Sequence, residues 1–405
     1  MALSELGGQC VFASEIDPNC REVYRDNFGF EPAGDIRPLT EGELVMVPDH
    51  DVLCAGFPCQ PFSKSGNQLG MDETRGTLFF NILRVLEARR PRFVILENVR
   101  NLAGPKQKPI WETISLNLRR LGYQVSDRPT VFSPHLLNRT RDGRPQIRER
   151  VFILAEYMGD DWEWADREPL VANKPVDSWN PADWRIEDWL QNDDEIEHIG
   201  KYVLSQNEIN WLDAWNVFIQ RLAENEELPG FPIWAKEFRA RARVFPWTPS
   251  WKANFLEKNA ALYRRNRTWI IEWKKEFKVD SFPESRQKFE WQARGSEPDL
   301  WQLVMHMRPS GIRVKAPTYL PALVAINQTS IIGSRRRRIT PREAARLQGL
   351  PDSFLLHRTD AVAYKQLGNG VSVGVVKHVA RALFDSSSIG WPGCSDEKAL
   401  ISQVS

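Results

Sequence analysis

Cys59 is the residue of this sequence best suited to nucleophilic chemistry. It lies in GFPCQPFS at 56–63, between Pro58 and Pro61 and just beyond an apolar run at 51–55. Each proline fixes its own φ, which suits a thiol that must hold one line of attack. As a thiolate it adds to electron-poor carbon. A cysteine inside a core is instead a small inert hydrophobe, the reading kept for Cys54 within the apolar run. A metal pair of Cys54 and Cys59 is not expected, because no second Cys or His pair of ligand spacing accompanies them. Glu97 ends the apolar run 93–96, so partial desolvation should favour its protonated form and let it donate to a ring nitrogen. Its other readings are a helix N-cap or a surface ion pair. Arg148 and Arg150, in QIRER at 146–150, offer two guanidinium groups for developing negative charge or for a phosphate. A cysteine hydrolase would need a histidine partner, and none of the six histidines stands in a recognisable context for one.

These groups need a frame that gathers strand ends. Apolar segments at 11–15, 51–55, 93–97 and 151–155 predict strands, and amphipathic patterns at 77–89 and 111–121 predict helices. That alternation implies an α/β fold, a doubly wound, mostly parallel sheet covered on both faces. Ligands of such sheets sit outside the carboxyl ends of the strands, where Glu15, Cys59 and Glu97 fall. From about residue 158 the texture changes: 14 of the 16 tryptophans lie between Trp162 and Trp301, most of them expected in a core. Ser205 and Glu208 form a capping box that opens a helix. After the arginines at 335–338, helical patterns at 341–349 and 371–384 return to the first texture. The expected division is a catalytic domain at 1–157, a second domain at 158–335, a return at 336–385 and a tail at 386–405.

Net charge is only +1, but it is unevenly spread. Residues 156–228 carry 19 acidic against 5 basic groups, and residues 231–278 carry 12 basic against 4 acidic. The basic block is either a phosphate-facing surface or a solvated face that offsets the acidic one. No apolar run approaches the roughly 18 to 20 residues that span a bilayer. The start lacks a basic and then apolar leader, and five scattered cysteines in 405 residues make no disulfide framework. The expectation is a cytoplasmic protein with no membrane partner.

Taken together, GFPCQPFS, ENV at 97–99, QIRER, RITPREAARLQGLP at 338–351 and QLGNGV at 366–371 resemble, in order and spacing, the motifs of the cytosine-C5 DNA methyltransferases of bacterial restriction-modification systems. The resemblance covers about residues 1–157 and 310–385. It implies the class I, Rossmann-like fold that binds S-adenosyl-L-methionine, with 158–335 as the target-recognition domain. It implies that Cys59 adds to C6 of a flipped cytosine in duplex DNA, that Glu97 engages N3, and that Arg148 supports the anionic intermediate, with Arg150 a second candidate. For the cofactor it implies Glu15 on the ribose hydroxyls, Ile16 and the pair Asp35 and Ile36 on the adenine, and Pro58, Leu78, Asn369 and Val371 shaping the pocket. Gln60 and Ser63 would meet DNA. A monomer is expected, and a cognate restriction endonuclease would act on the same site. The family opens with a strand and a Phe-x-Gly-x-Gly turn. Met1–Gly8 resembles the helix after that turn, so the first strand and glycine loop are expected to be missing from this sequence. Two further readings stay open: a truncated, inactive DNA-binding remnant, and an RNA cytosine-C5 methyltransferase. The target sequence is not legible, because base readout needs docked geometry.

Overall fold

An apolar run without alternation, such as 93–96, asks for burial on both sides. The computed structural model describes residues 1–58, 77–323 and 329–387, so Cys59, Gln60 and Ser63 lie outside the described residues. Strands β1 (Val52–Gly56), β2 (Phe93–Val99), β3 (Tyr123–Val125), β4 (Thr130–Phe132) and β5 (Arg150–Tyr157) form the first sheet, with helices α1 (Pro18–Phe28), α2 (Leu78–Arg89) and α3 (Lys108–Arg120). The strand order is β1-β2-β5-β3, and β4 also pairs with β5. Side chains alternate along β2. Val94 and Leu96 join Phe79, Leu83 and Leu86 of α2 and Ile114 and Leu118 of α3. Phe93 and Ile95 join Val379, Leu383 and Phe384 on the other face. Both faces are covered, as the α/β expectation requires.

Two expected strands differ in detail. β1 and β2 are parallel, but β5 runs antiparallel to β2, β3 and β4. β3 and β4 lie end to end along one edge of β5, and the chain returns from β4 to β5 with no α-helix between them, whereas parallel neighbours are usually joined by a helical crossover. Residues 11–15 make only one isolated bridge, Ser14 with Ala33. Pro32 cannot donate to a longer ladder, and Pro18 already opens α1 behind its Asp17 cap.

The chain divides into two compact units, Met1–Asp183 with the chain from Ala345 onward, and Trp184–Ala344. Residues 158–183 thus stay with the first unit. Gln124 donates to the Ala165 carbonyl at 2.8 Å and Trp179 to the His135 carbonyl at 3.2 Å, while Val171 joins the core beneath β2 and β5.

In the second unit, α4 (Gln206–Ala223) opens with the expected Ser205–Glu208 capping box, and α5 (Ser250–Glu276) is the long helix. A sheet of β6 (Ile233–Trp234), β7 (Lys288–Gln292), β8 (Val304–Arg308), β9 (Gly311–Lys315), β10 (Ile331–Ile332) and β11 (Arg337–Arg338) has the order β11-β10-β8-β9-β7-β6. Trp215 and Trp273 are fully buried, with ring centroids 5.3 Å apart. Their indole N–H groups donate to the carbonyls of Arg286 and Ala214 at 2.8 and 2.7 Å, the partners a buried tryptophan needs. Trp215→Phe should lower unfolding stability by about 1–3 kcal/mol, through the lost hydrogen bond and the space left behind. Urea unfolding checks this. Three of the four arginines at 335–338 are ion-paired within the unit: Arg337 is fully buried on Glu343 at 2.8 Å and Asp193 at 2.9 Å. Arg335 pairs with Glu187 and Arg338 with Glu208.

Helix α6 (Pro341–Leu347) leads back to the first unit, where α7 (Asp360–Asn369) and α8 (Val373–Asp385) follow. No helix among the described residues is long and apolar enough to cross a membrane.

Candidate active site

The register of the first sheet builds the site. Gly56 pairs with Glu97 across β1 and β2, and Val99 pairs with Arg150 across β2 and β5. Residues two apart on a strand share a face, so Glu97 and Arg150 are diagonal neighbours on one face. The Arg150 Nε stands 3.0 Å from Glu97 Oε1. The other carboxylate oxygen lies beside Gly56, 3.4 Å from where a β-carbon would stand. Burial raises the Glu97 pKa above the ordinary carboxylate range, while the charges of Arg150 and Arg148 oppose it. Desolvation wins, so the carboxyl is biased toward its protonated form.

Arg148 is placed differently. Its side chain is buried, and its Nη2 donates to the carbonyls of Gly368 and Gly370 at 2.7 and 2.6 Å. Its backbone N–H donates to Ser133 Oγ at 2.9 Å. Burial lowers its pKa, the Arg150 charge acts in the same direction, and Glu97 opposes. Arg148 therefore ties the start of β5 to the C-terminal end of α7, while Arg150 faces the carboxyl directly. Nearby, burial pushes the His135 imidazole down to about 4, so it is neutral at pH 7.

Asn98 carries a role that the sequence reading did not assign. It is buried, and its side-chain amide donates to the Phe57 carbonyl at 2.9 Å while its carbonyl oxygen accepts from the Val99 N–H at 2.8 Å. Phe57 precedes Pro58 and Cys59, so Asn98 anchors the backbone that leads to the thiol. Its place next to Glu97 was the available signal. Asn98→Ala should lower single-turnover rate about tenfold, since small misplacements of a reacting group are costly. A melting-temperature shift with an unchanged rate would remove Asn98 from the site. Cys54 lies within β1 as expected, and although its side chain reaches the surface, desolvation pushes its thiol up to about 12, which disfavours the reactive thiolate.

The residues expected at the cofactor are spread along one edge. Glu15 Oε1 accepts from the Asp17 N–H at 2.8 Å, and Ile16 beside it is 65% exposed. Asp17 pairs with Lys365 of α7 at 3.3 Å, the helix that ends at Asn369. The structure thus joins the Glu15 segment and the segment held by Arg148 through one helix. Asn369 and Pro58 are exposed, and Val371 is half-buried. Leu78, at the start of α2, is exposed as well. Asp35 is engaged by Arg37 Nε and Nη2 at 2.8 and 2.5 Å, which lowers its pKa. Ile36 packs on Val45, Val47 and Val85. Among the described residues no cluster of His, Cys, Asp or Glu is arranged to hold a metal ion.

Residues 1–385 match the family described as C-5 cytosine-specific DNA methylase. The chain is 41% identical to the Type II methyltransferase M.AluI of Cellulosimicrobium cellulans, over 94% of this chain and 88% of that protein. It is 32% identical to M.BanI of Aneurinibacillus aneurinilyticus, over 95% and 91%. It is 28% identical to M.HhaI of Haemophilus parahaemolyticus, over 94% and 89%.

Proposed function

This chain belongs to the C-5 cytosine-specific DNA methylase family, and we propose that Cys59, Glu97 and Arg150 carry its chemistry on a cytosine flipped out of duplex DNA. It is a DNA (cytosine-5-)-methyltransferase, and its Type II relatives support a place in a restriction-modification system. The proposed setting is the cytoplasm, as a monomer, with a cognate endonuclease cutting the same sequence.

Cytosine C5 is too weak a nucleophile to take a methyl group unaided. Addition of the Cys59 thiolate to C6 pushes electron density to C5. Protonated Glu97 donates to N3 and draws charge from the ring as the sulfur adds. C5 would then take the methyl group, the electron pair of the broken bond staying on the donor's sulfur; the C5 proton leaves to a base, and the thiolate is expelled as the C5–C6 double bond re-forms. Arg150 holds the Glu97 carboxyl in place and offsets negative charge on the ring. Arg148 adds charge at longer range and positions the segment at Gly368–Gly370.

S-adenosyl-L-methionine supplies the methyl group. The donor set suits it: one Glu15 carboxylate oxygen takes the Asp17 N–H and the other, unbonded among the described residues, is left for a ribose diol, while exposed Ile16 and Leu78 offer apolar cover for a purine. Pro58, Asn369 and Val371 would complete its pocket, and Asp35 would meet the adenine edge only by sharing its bond to Arg37. Gln60 and Ser63 are proposed on the DNA side.

The observation that carries the reading is the half-buried Glu97 carboxyl, raised in pKa and braced by Arg150 beside the strand that leads to Cys59. The test supplies methyl-labelled S-adenosyl-L-methionine with mixed-sequence duplex DNA or RNA in separate reactions. Label in 5-methyl-2′-deoxycytidine after digestion is expected. Label confined to RNA, or to an exocyclic nitrogen, would sink it.

A further inference from the structure

The basic block at 231–278 is not uniform once its partners are known. Arg265 pairs with Glu226 at 2.6 Å, Lys274 with Asp280 at 2.7 Å and Arg239 with Glu237 at 3.1 Å. Arg241, Arg243, Lys252 and Arg267 are exposed, and their side chains have no hydrogen bond or ion pair among the described residues. From 239 to 267 there are eight cationic residues and one carboxylate, Glu257. The unneutralised charge is thus concentrated on one segment.

That segment also presents aromatic rings. The Phe245 carbonyl accepts from the Thr248 N–H at 2.9 Å, and the Phe245 N–H donates to Thr248 Oγ1 at 3.0 Å. Pro246 stiffens this turn by fixing its own φ. The turn displays Phe245 and Trp247 stacked on each other, centroids 5.1 Å apart and planes within 4°. Trp247 is 78% exposed and Trp251, at the start of α5, is 60% exposed. Large rings this exposed, on a hydrogen-bonded turn, are not core residues. The neighbouring backbone is anchored as well: Arg264 of α5 donates to the Ala240 carbonyl at 2.9 Å. Arg241, Ala242 and Val244 then line an open cavity of about 410 Å³ with Glu257, Ala260 and Arg264. Residues 257, 260 and 264 are spaced to share one helix face.

We propose that Arg241, Arg243, Arg267 and the Phe245–Trp247 ring pair form a duplex-DNA contact surface on the second unit, the guanidinium groups meeting phosphates and the rings meeting bases. This rests on the reading that duplex DNA is the substrate. Unpaired arginines are suited to phosphate oxygens, and a preformed ring stack gives a rigid π-face or wedge at a base step. A protein partner for the rings alone would leave the free cations unexplained.

The test uses the full chain and a fluorescent mixed-sequence duplex, with anisotropy titrations across a range of KCl. Arg241→Ala/Arg243→Ala/Arg267→Ala should flatten the slope of log affinity against log salt by about 2 to 3, roughly 0.9 for each lost phosphate contact. Phe245→Ala/Trp247→Ala should weaken binding about tenfold or more with the slope kept, because stacking releases no counterions. Lys201→Ala, an exposed cation elsewhere in the unit, is the control. Wild-type affinity and slope in both variants would overturn the surface. So would self-association of the wild-type chain that Phe245→Ala/Trp247→Ala abolishes without changing DNA affinity. Methyl transfer by the wild-type protein is measured alongside. Its failure with a normal salt response counts against the catalytic reading, whereas normal transfer with unresponsive variants counts against this surface alone.

Discussion

A duplex in which 5-fluorocytosine replaces cytosine should become covalently linked to Cys59 when S-adenosyl-L-methionine is present. The thiolate adds to C6 and C5 takes the methyl group, but the fluorine cannot leave as a cation in place of the proton. Elimination stops, and the sulfur–carbon bond should survive denaturation. Peptide mapping would place the adduct. Cys59→Ser should give no adduct and no measurable turnover, because a hydroxyl ionises far less readily than a thiol and is a much poorer nucleophile at neutral pH. The competing thiols make the test a real one. Cys10 is exposed, whereas desolvation pushes the Cys54 and Cys20 thiols up to about 12 and about 11. An adduct on Cys54 or Cys10, or one retained by Cys59→Ser protein, would remove Cys59 from the mechanism.

Glu97→Gln should lower turnover by roughly 10²-fold or more, the range for losing a positioned acid, with much smaller change in DNA affinity. The amide keeps the shape and a donor but cannot transfer a proton. The pH dependence gives a second reading. Burial raises the Glu97 pKa, so the protonated fraction persists toward neutrality and falls as pH rises through that pKa. The wild-type kcat/KM should therefore decline on this account along an alkaline limb that Glu97→Gln lacks. An unchanged turnover number in the variant would exclude the carboxyl as the acid. The same burial links to stability with the opposite sign from an ion-paired carboxylate. The native state holds its proton above the unfolded pKa, so stability is lost as pH rises from the unfolded toward the raised native value. Glu97→Gln should relieve that loss, measurable as a smaller change in urea midpoint across the same pH window.

Local patterns carried much of this protein. The proline-bracketed Cys59, the carboxyl ending the apolar run at Glu97, and the Ser205–Glu208 cap are read within a few residues of chain. Helix periodicity likewise located α2, α3 and α8 nearly to their ends, because i, i+3 and i+4 neighbours meet whatever the rest of the fold does. Other features depended on partners far away in sequence. Arg148 and Arg150 look equivalent in QIRER. Only the pairing of Val99 with Arg150 puts one guanidinium on Glu97, while the other reaches Gly368 and Gly370. The four arginines at 335–338 look alike in the chain, yet Arg337 is enclosed by Glu343 and Asp193, Arg335 and Arg338 meet Glu187 and Glu208, and Arg336 stays exposed over Trp301. Trp215 and Trp247 look alike in the chain, yet one is enclosed by Phe289 and Trp273 and the other stands in solvent. The sequence by itself determined residue chemistry and local conformation, since both depend on near neighbours. Strand register, ion-pair partners and burial were decided by the tertiary structure, because each is a contact between segments whose separation along the chain carries no distance in space.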